Sequence, residues 1–163
     1  MKKVILLCIV FWLVLYNCKK GTNDGVSLSN AEINTDQLAT NMKNTISIVE
    51  IPVSDLSRAV SFYQNILSVS IERMTMGDTE MGVLPANVGS VNVVLVKGKD
   101  YIPTKNGVLV YLNLGNDLQP ALDQIEKNGG KILLQKTLID PEMGYYALVV
   151  DSEGNKMGLH SKN

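Results

Sequence analysis

The chain has 163 residues, enough for one domain with appendages or for two small repeats packed together. Its net charge of −1 and its 6% aromatic residues argue against the basic field and the stacking platforms that nucleic-acid binding requires. The two cysteines are Cys8 and Cys18, so the chain beyond residue 18 can form neither an internal disulfide nor a thiolate metal site.

The first 18 residues have the organisation of an export signal. Lys2 and Lys3 precede an apolar run at 4–16, which is too short to span a bilayer comfortably. The run ends almost at Cys18, and L-Y-N-C resembles the lipobox of bacterial lipoproteins, although Tyr16 and Asn17 stand where small residues are usual. The resemblance implies acylation of Cys18 and a lipoprotein of the cell envelope, anchored in a membrane and facing the periplasm or the exterior. An uncleaved anchor and a cleaved secreted protein are the alternatives.

Residues 19–44 are rich in Asn, Thr, Ser and Gly and have no sustained period, which predicts a flexible polar tether. A domain is predicted to follow at 45–162, built from two similar units. The first unit, 45–98, opens with the strand pattern I-S-I-V-E-I-P-V. Ser54 or Asp55 then caps a helix, and three strands are predicted at 69–74, 80–84 and 90–96.

The second unit, 106–162, repeats this order. A strand at 107–114 precedes a helix that is capped by Asn116 or Asp117 and ends at Gly129. Strands are then predicted at 131–138, 145–151 and 156–160.

One helix can cover only one face of a four-stranded sheet, so each unit leaves its other face open. We therefore expect an α+β fold in which two βαβββ modules form a curved eight-stranded sheet around a cleft. A generic α+β domain of unrelated halves is the alternative.

Three segments in this order resemble the vicinal oxygen chelate superfamily, which includes glyoxalase I, bleomycin-resistance proteins and extradiol dioxygenases. They are V-E-I-P-V-S-D-L-S-R-A-V-S-F-Y, D-L-Q-P-A-L-D-Q-I-E-K-N-G-G-K-I-L and P-E-M-G-Y-Y-A-L-V-V-D-S-E-G-N-K-M-G-L-H-S. The resemblance covers nearly all of the predicted domain. It implies the same paired-module fold and a ligand site in the cleft.

Metal-using members of that superfamily carry ligands on the first and last strand of each module. The resemblance places these four positions on Ile48, Val94, Val110 (with one residue of uncertainty) and Gly158. None of these side chains can bind a divalent ion, which needs three or four N, O or S donors. We therefore expect no metal and no cofactor, and metal-dependent catalysis is disfavoured.

Strand alternation adds polar candidates to the cleft. Residues two apart share a face, so Glu50 lies with Ile48, Asn92 with Val94, and His160 with Gly158. The predicted ligand-binding residues are Ile48, Glu50, Asn92, Val94, Val110, Gly158 and His160. Glu50 and His160 are also candidates for a catalytic proton-transfer pair, and the alternative is that they are structural polar residues.

These observations favour an exported, lipid-anchored protein that binds a small organic molecule in a metal-free cleft. One alternative is a glyoxalase-like lyase or isomerase that uses Glu50 and His160 for proton transfer. A tethered interaction scaffold with a filled cleft is another. The expected partners are a small organic ligand and a membrane, reached through the lipid anchor, but not nucleic acid. A homodimer, including one that exchanges modules, is also compatible with the sequence.

Overall fold

A computed structural model describes residues 44–163 of the chain. The predicted signal, Cys18 and all of the tether before Asn44 lie outside the described residues. The first module contains β1 (Ile48–Pro52), α1 (Leu56–Leu67), β2 (Glu72–Met76), β3 (Thr79–Val83) and β4 (Asn92–Lys97). The second contains β5 (Tyr111–Asn113), α2 (Gln119–Ile125) with a 3₁₀ turn (Glu126–Asn128), β6 (Lys131–Asp140), β7 (Gly144–Val150) and β8 (Lys156–Ser161).

The two modules have the same strand order. The sheets run β1-β4-β3-β2 and β5-β8-β7-β6, and the first and last strand of each module pair in parallel. The α+β class and the two βαβββ modules are therefore confirmed. The backbone hydrogen bonds of the described residues divide the eight strands into two four-stranded sheets, with β1 and β5 at an edge of each.

The first helix begins as the sequence predicts, because the Asp55 side chain caps α1 by accepting a hydrogen bond from the Arg58 N–H at 3.0 Å. The prediction that Asn116 or Asp117 caps the second helix is wrong, because Leu118 is its N-cap and provides no side-chain hydrogen bond. The Asp117 side chain accepts from the N–H of Gln119, the first helical residue, at 3.0 Å. The second helical segment ends at Gly129, whose φ of 87° is the left-handed conformation that glycine adopts freely. Within residues 44–163, neither helix combines the length and the hydropathy that crossing a membrane requires.

One hydrophobic core joins the two modules. Phe62 and Tyr63 of α1 lie in an edge-to-face contact, with ring centroids 5.1 Å apart, and both are almost completely buried. The second helix contributes Leu118, Leu122 and Ile125 to the same cluster. Burial of each large apolar side chain contributes about 1.5–3 kcal/mol, so the modules stabilise each other.

Two strands differ most from their predicted extents. The second strand begins at Glu72 rather than at residue 69, because the chain leaves α1 through the left-handed Ser68 and the Ile71 N–H bonds to the Gln64 side chain. The fifth strand is limited to Tyr111–Asn113. Its partner β8 begins only at Lys156, directly after the D-S-E-G-N turn, and Tyr111 pairs with Gly158. The residues before Tyr111 therefore have little of β8 to pair with.

Candidate functional site

The open face of the first sheet carries the residues that strand alternation predicted. Ile48 is opposite Asn92, and Glu50 is opposite Val94. Directly opposite residues share a face of a sheet, so these four side chains project from the same side. Ile48 is 57% exposed and Glu50 is exposed as well, as expected for residues on a sheet face that no helix covers.

The open face of the second sheet contains an aromatic pair. Tyr111 is opposite Gly158, and Tyr146 is opposite His160. The rings of the two tyrosines have centroids 6.4 Å apart. The register thus puts Tyr111 on the same face as Gly158, while Val110, the predicted fifth-strand position, packs against the core.

The residues at these positions do not fit a metal ion. A Cβ atom built on Gly158 would overlap the ring of Tyr111, so the tyrosine ring occupies the space of a ligand side chain. Ile48 and Val94 have no donor atoms. Among residues 44–163, no group of three or more His, Cys, Asp and Glu side chains is arranged to hold an ion.

The contact between Gly158 and Tyr111 predicts an energetic coupling. Gly158→Ala is expected to lower the free energy of unfolding by about 1–3 kcal/mol, because the added methyl displaces the Tyr111 ring. In a Tyr111→Ala background the same change should cost little. Urea unfolding of both single variants and the double variant measures the coupling, expected to be about 1 kcal/mol or more. Additive effects would show that the ring is not what restricts this position.

Glu50 and His160 have separate partners. Glu50 Oε2 accepts a hydrogen bond from the Tyr101 hydroxyl at 2.8 Å, and this bond raises the pKa of Tyr101 above its ordinary value. His160 Nε2 lies 2.7 Å from the carbonyl oxygen of Met143, so Nε2 carries the proton and donates it. Within residues 44–163, no hydrogen bond or ion pair joins Glu50 to His160.

Two neighbouring cavities lie along the free edge of β1. One, of about 400 Å³, includes Ile48, Glu50 and Val110 in its lining, and we call it the charged cavity because Glu50 and Lys156 line it. The other, of about 670 Å³, has no charged residue in its lining, and we call it the apolar cavity. The two share Ile46, Val49, Val108 and Val110. Asn92, Val94, Gly158 and His160 lie outside both linings.

The D-S-E-G-N turn holds the second module to the first. Asp151 is 3% exposed and accepts hydrogen bonds at both carboxylate oxygens. Oδ2 accepts from the hydroxyl of Tyr63 in α1 at 2.8 Å, and from Asn155 Nδ2 at 2.9 Å. The same Asn155 amide donates to the carbonyl oxygen of Pro52 at 2.8 Å. Buried groups with all partners satisfied specify one arrangement of the two modules.

Glu153 of the same turn contacts the start of α1. Its carboxylate accepts from the backbone N–H groups of Ser54 and Asp55, at 3.0 and 2.9 Å, and forms a two-pronged ion pair with Arg58. Burial by itself raises the pKa of this carboxyl, but the hydrogen bonds from Arg58, Ser54 and Asp55 outweigh it and lower the pKa to about 2. Sequence reasoning recognised D-S-E-G-N as a family motif but missed this contact between the modules.

The paired βαβββ fold and the motif turn define the class to which the protein belongs. Residues 45–159 match the model of the Glyoxalase/Bleomycin resistance protein/Dioxygenase superfamily, and the chain belongs to that family. A glyoxylase-like domain-containing protein of Didymella fabae is 29% identical over 115 residues, which cover 68% of this chain and 88% of the relative.

Solved structures share the fold at low sequence identity. A glyoxylase/bleomycin resistance protein/dioxygenase domain from a Frankia species has a TM-score of 0.58 at 16% identity, covering 74% of this chain and 98% of that one. Glyoxalase I from Zea mays has a TM-score of 0.52 at 21% identity, covering 71% of this chain and 45% of that one. The chain therefore spans less than half the length of the maize enzyme. A fosfomycin resistance protein of Listeria monocytogenes has a TM-score of 0.52 at 14% identity, with 74% and 93% covered.

Proposed function

We propose that the protein is an exported, lipid-anchored member of this family that binds a small organic molecule without a metal. The observation that carries the proposal is the pair of neighbouring cavities along β1, lined by apolar side chains from both modules and by few polar ones. Small-molecule sites have this composition, and their volumes are about 300–1,000 Å³. The cavities support this function over a scaffold with a filled cleft.

The test of ligand binding is native mass spectrometry of the full-length protein purified from its source. A molecule that co-purifies and dissociates on denaturation is the expected result. Val110→Phe should remove it, because Val110 lines both cavities. Val88→Phe is the control, since Val88 is fully exposed and lies outside both linings. A protein that carries no ligand and binds none from an extract of its source would overturn the proposal.

The anchoring part of the proposal rests on the apolar run at 4–16 and on Cys18. Acylation of Cys18 should add the mass of its lipid chains to the mature N-terminus and direct the protein to the detergent phase on phase separation. Cys18→Ser should remove both properties. A Cys18→Ser protein with the wild-type mass difference and partitioning would exclude lipidation at this residue.

The lyase or isomerase alternative requires proton transfer by Glu50 and His160. Their separate partners, the Tyr101 hydroxyl and the Met143 carbonyl, do not favour a direct pair. Binding is therefore preferred to catalysis as the function of the cleft.

A further inference from the structure

The charged cavity contains two side chains of opposite sign. Glu50 and Lys156 are the only charged residues in its lining, and Ile48, Val108, Val110 and Met157 are among the apolar ones. Within residues 44–163, no ion pair joins Glu50 to Lys156, and the Lys156 ammonium donates no hydrogen bond. Two charges bordering one apolar cavity without neutralising each other are available to a ligand.

Glu50 and Lys156 lie on either side of a hydrogen bond that joins the two modules. Asn155 Nδ2 donates to the carbonyl oxygen of Pro52 at 2.8 Å, which ties the start of β8 to the end of β1. Glu50 lies two residues before Pro52, and Lys156 follows Asn155. Glu50 and Lys156 therefore lie near this contact, one in each module, and both line the charged cavity.

The connection between the modules fixes the same two residues. The Tyr101 hydroxyl donates to Glu50, while the Thr104 backbone bonds to both the Asn155 side chain and the Lys156 N–H. These contacts use the polar groups of Asn155, which is 5% exposed. Glu50 Oε1 and the Lys156 ammonium remain free for a ligand.

We propose that the charged cavity binds the head of a zwitterionic molecule, with an ammonium group at Glu50 and a carboxylate at Lys156. This inference rests on the proposed small-molecule function and names its ligand class, an amphoteric molecule with an uncharged apolar body such as an aliphatic α-amino acid. The neighbouring apolar cavity has no charged residue in its lining and receives the body. A ligand with one charge would leave the other side chain of the cavity unpaired, which costs affinity.

Four probes with the same six-carbon chain test the proposal by isothermal titration calorimetry of the full-length protein. They are 2-aminohexanoic acid, hexanoic acid, hexylamine and hexanamide. The zwitterion is expected to bind at least tenfold more tightly than each of the others. Equal binding of hexanamide and the zwitterion would overturn the charge requirement while leaving small-molecule binding intact. Failure of all four probes to bind would overturn the proposed ligand class. If a ligand of another kind then co-purified with the protein, small-molecule binding would still stand as the function.

Charge-removing variants assign each end of the zwitterion. Glu50→Gln should weaken binding of 2-aminohexanoic acid and hexylamine about tenfold, and it should not weaken binding of hexanoic acid, which no longer leaves an unpaired carboxylate beside it. Lys156→Met should weaken binding of 2-aminohexanoic acid and hexanoic acid to a similar extent, and it should not weaken binding of hexylamine. Unchanged binding of the zwitterion to either variant contradicts the assignment.

The sheets offer matched controls for both variants. Glu72 lies in the same cross-strand row as Glu50, through Val94 and Val83, but at the outer edge of the first sheet. Lys131 lies in the same cross-strand row as Lys156, through Val150, at the outer edge of the second sheet. Glu72→Gln and Lys131→Met should therefore leave all four affinities unchanged. Losses in these controls equal to those in the cavity variants would show a general charge effect and contradict the proposal.

Discussion

Asp151→Ala is expected to lower the free energy of unfolding by about 3–5 kcal/mol, the largest effect that we predict for a single substitution. The wild-type carboxylate accepts hydrogen bonds from the Tyr63 hydroxyl, from Asn155 Nδ2 and from the backbone N–H groups of residues 153, 154 and 155. Alanine removes both acceptor oxygens in a buried position. The donors then stay unpaired or draw water between the modules, and either outcome costs stability.

Tyr63→Phe is the milder partner of this experiment, and it remains informative if the alanine variant does not fold. It removes one donor while the aromatic ring stays in the core, so a loss of about 1–2 kcal/mol is expected. Urea denaturation followed by circular dichroism measures both variants. A change below about 0.5 kcal/mol for Asp151→Ala would mean that the turn does not hold the modules together.

Glu153 makes stability depend on pH in the acidic range. Its pKa is lowered from the ordinary value of 4.5 to about 2, because its hydrogen bonds to Arg58, Ser54 and Asp55 outweigh the effect of burial. A carboxyl with a depressed pKa in the folded state contributes stability that is present above pH 4.5 and is lost as the pH falls through about 2. The full linkage corresponds to about 3 kcal/mol. Because the Arg58 side chain is 52% exposed, we expect about 1–2 kcal/mol after solvent screening.

Glu153→Gln should therefore reduce stability by about 1–2 kcal/mol at pH 7 and remove this part of the decline between pH 4.5 and 2. Urea unfolding over a series of pH values measures the difference between the variant and the wild type. Glu126→Gln serves as the control, because Glu126 is exposed and its side chain forms no hydrogen bond or ion pair with any of residues 44–163. A difference between wild type and Glu153→Gln that stays constant from pH 7 to 2 would contradict the role of the ionised carboxylate.

Much of the fold was predictable from local sequence patterns. Asp55 was recognisable as a helix cap because its side chain acts within three residues, and Gly129 as a helix end because its conformation is local. Strand alternation paired Ile48 with Glu50 correctly on one face. These signals depend on neighbouring residues, which the sequence shows directly.

The site was less predictable because its residues meet through tertiary contacts. Lys156 was missed, although the same alternation that selected His160 and Gly158 places it on their face of β8. Nothing in the sequence showed that Tyr111 lies opposite Gly158, and no local pattern indicated that its ring would cover that glycine. Tyr101 lies in the connection between the modules, where no period constrains the direction of a side chain.

The sequence by itself determined the family, the two βαβββ modules and the lack of metal-binding side chains at Ile48, Val94 and Gly158, since each depends on residue type and spacing along the chain. Only the tertiary structure decided how the modules are held together and which charges border the cavities. Glu153 meets Arg58 across 95 positions of sequence, and Asn155 meets Pro52 across 103. Contacts over such separations form only when the packed core brings the two modules together, so no local pattern records them.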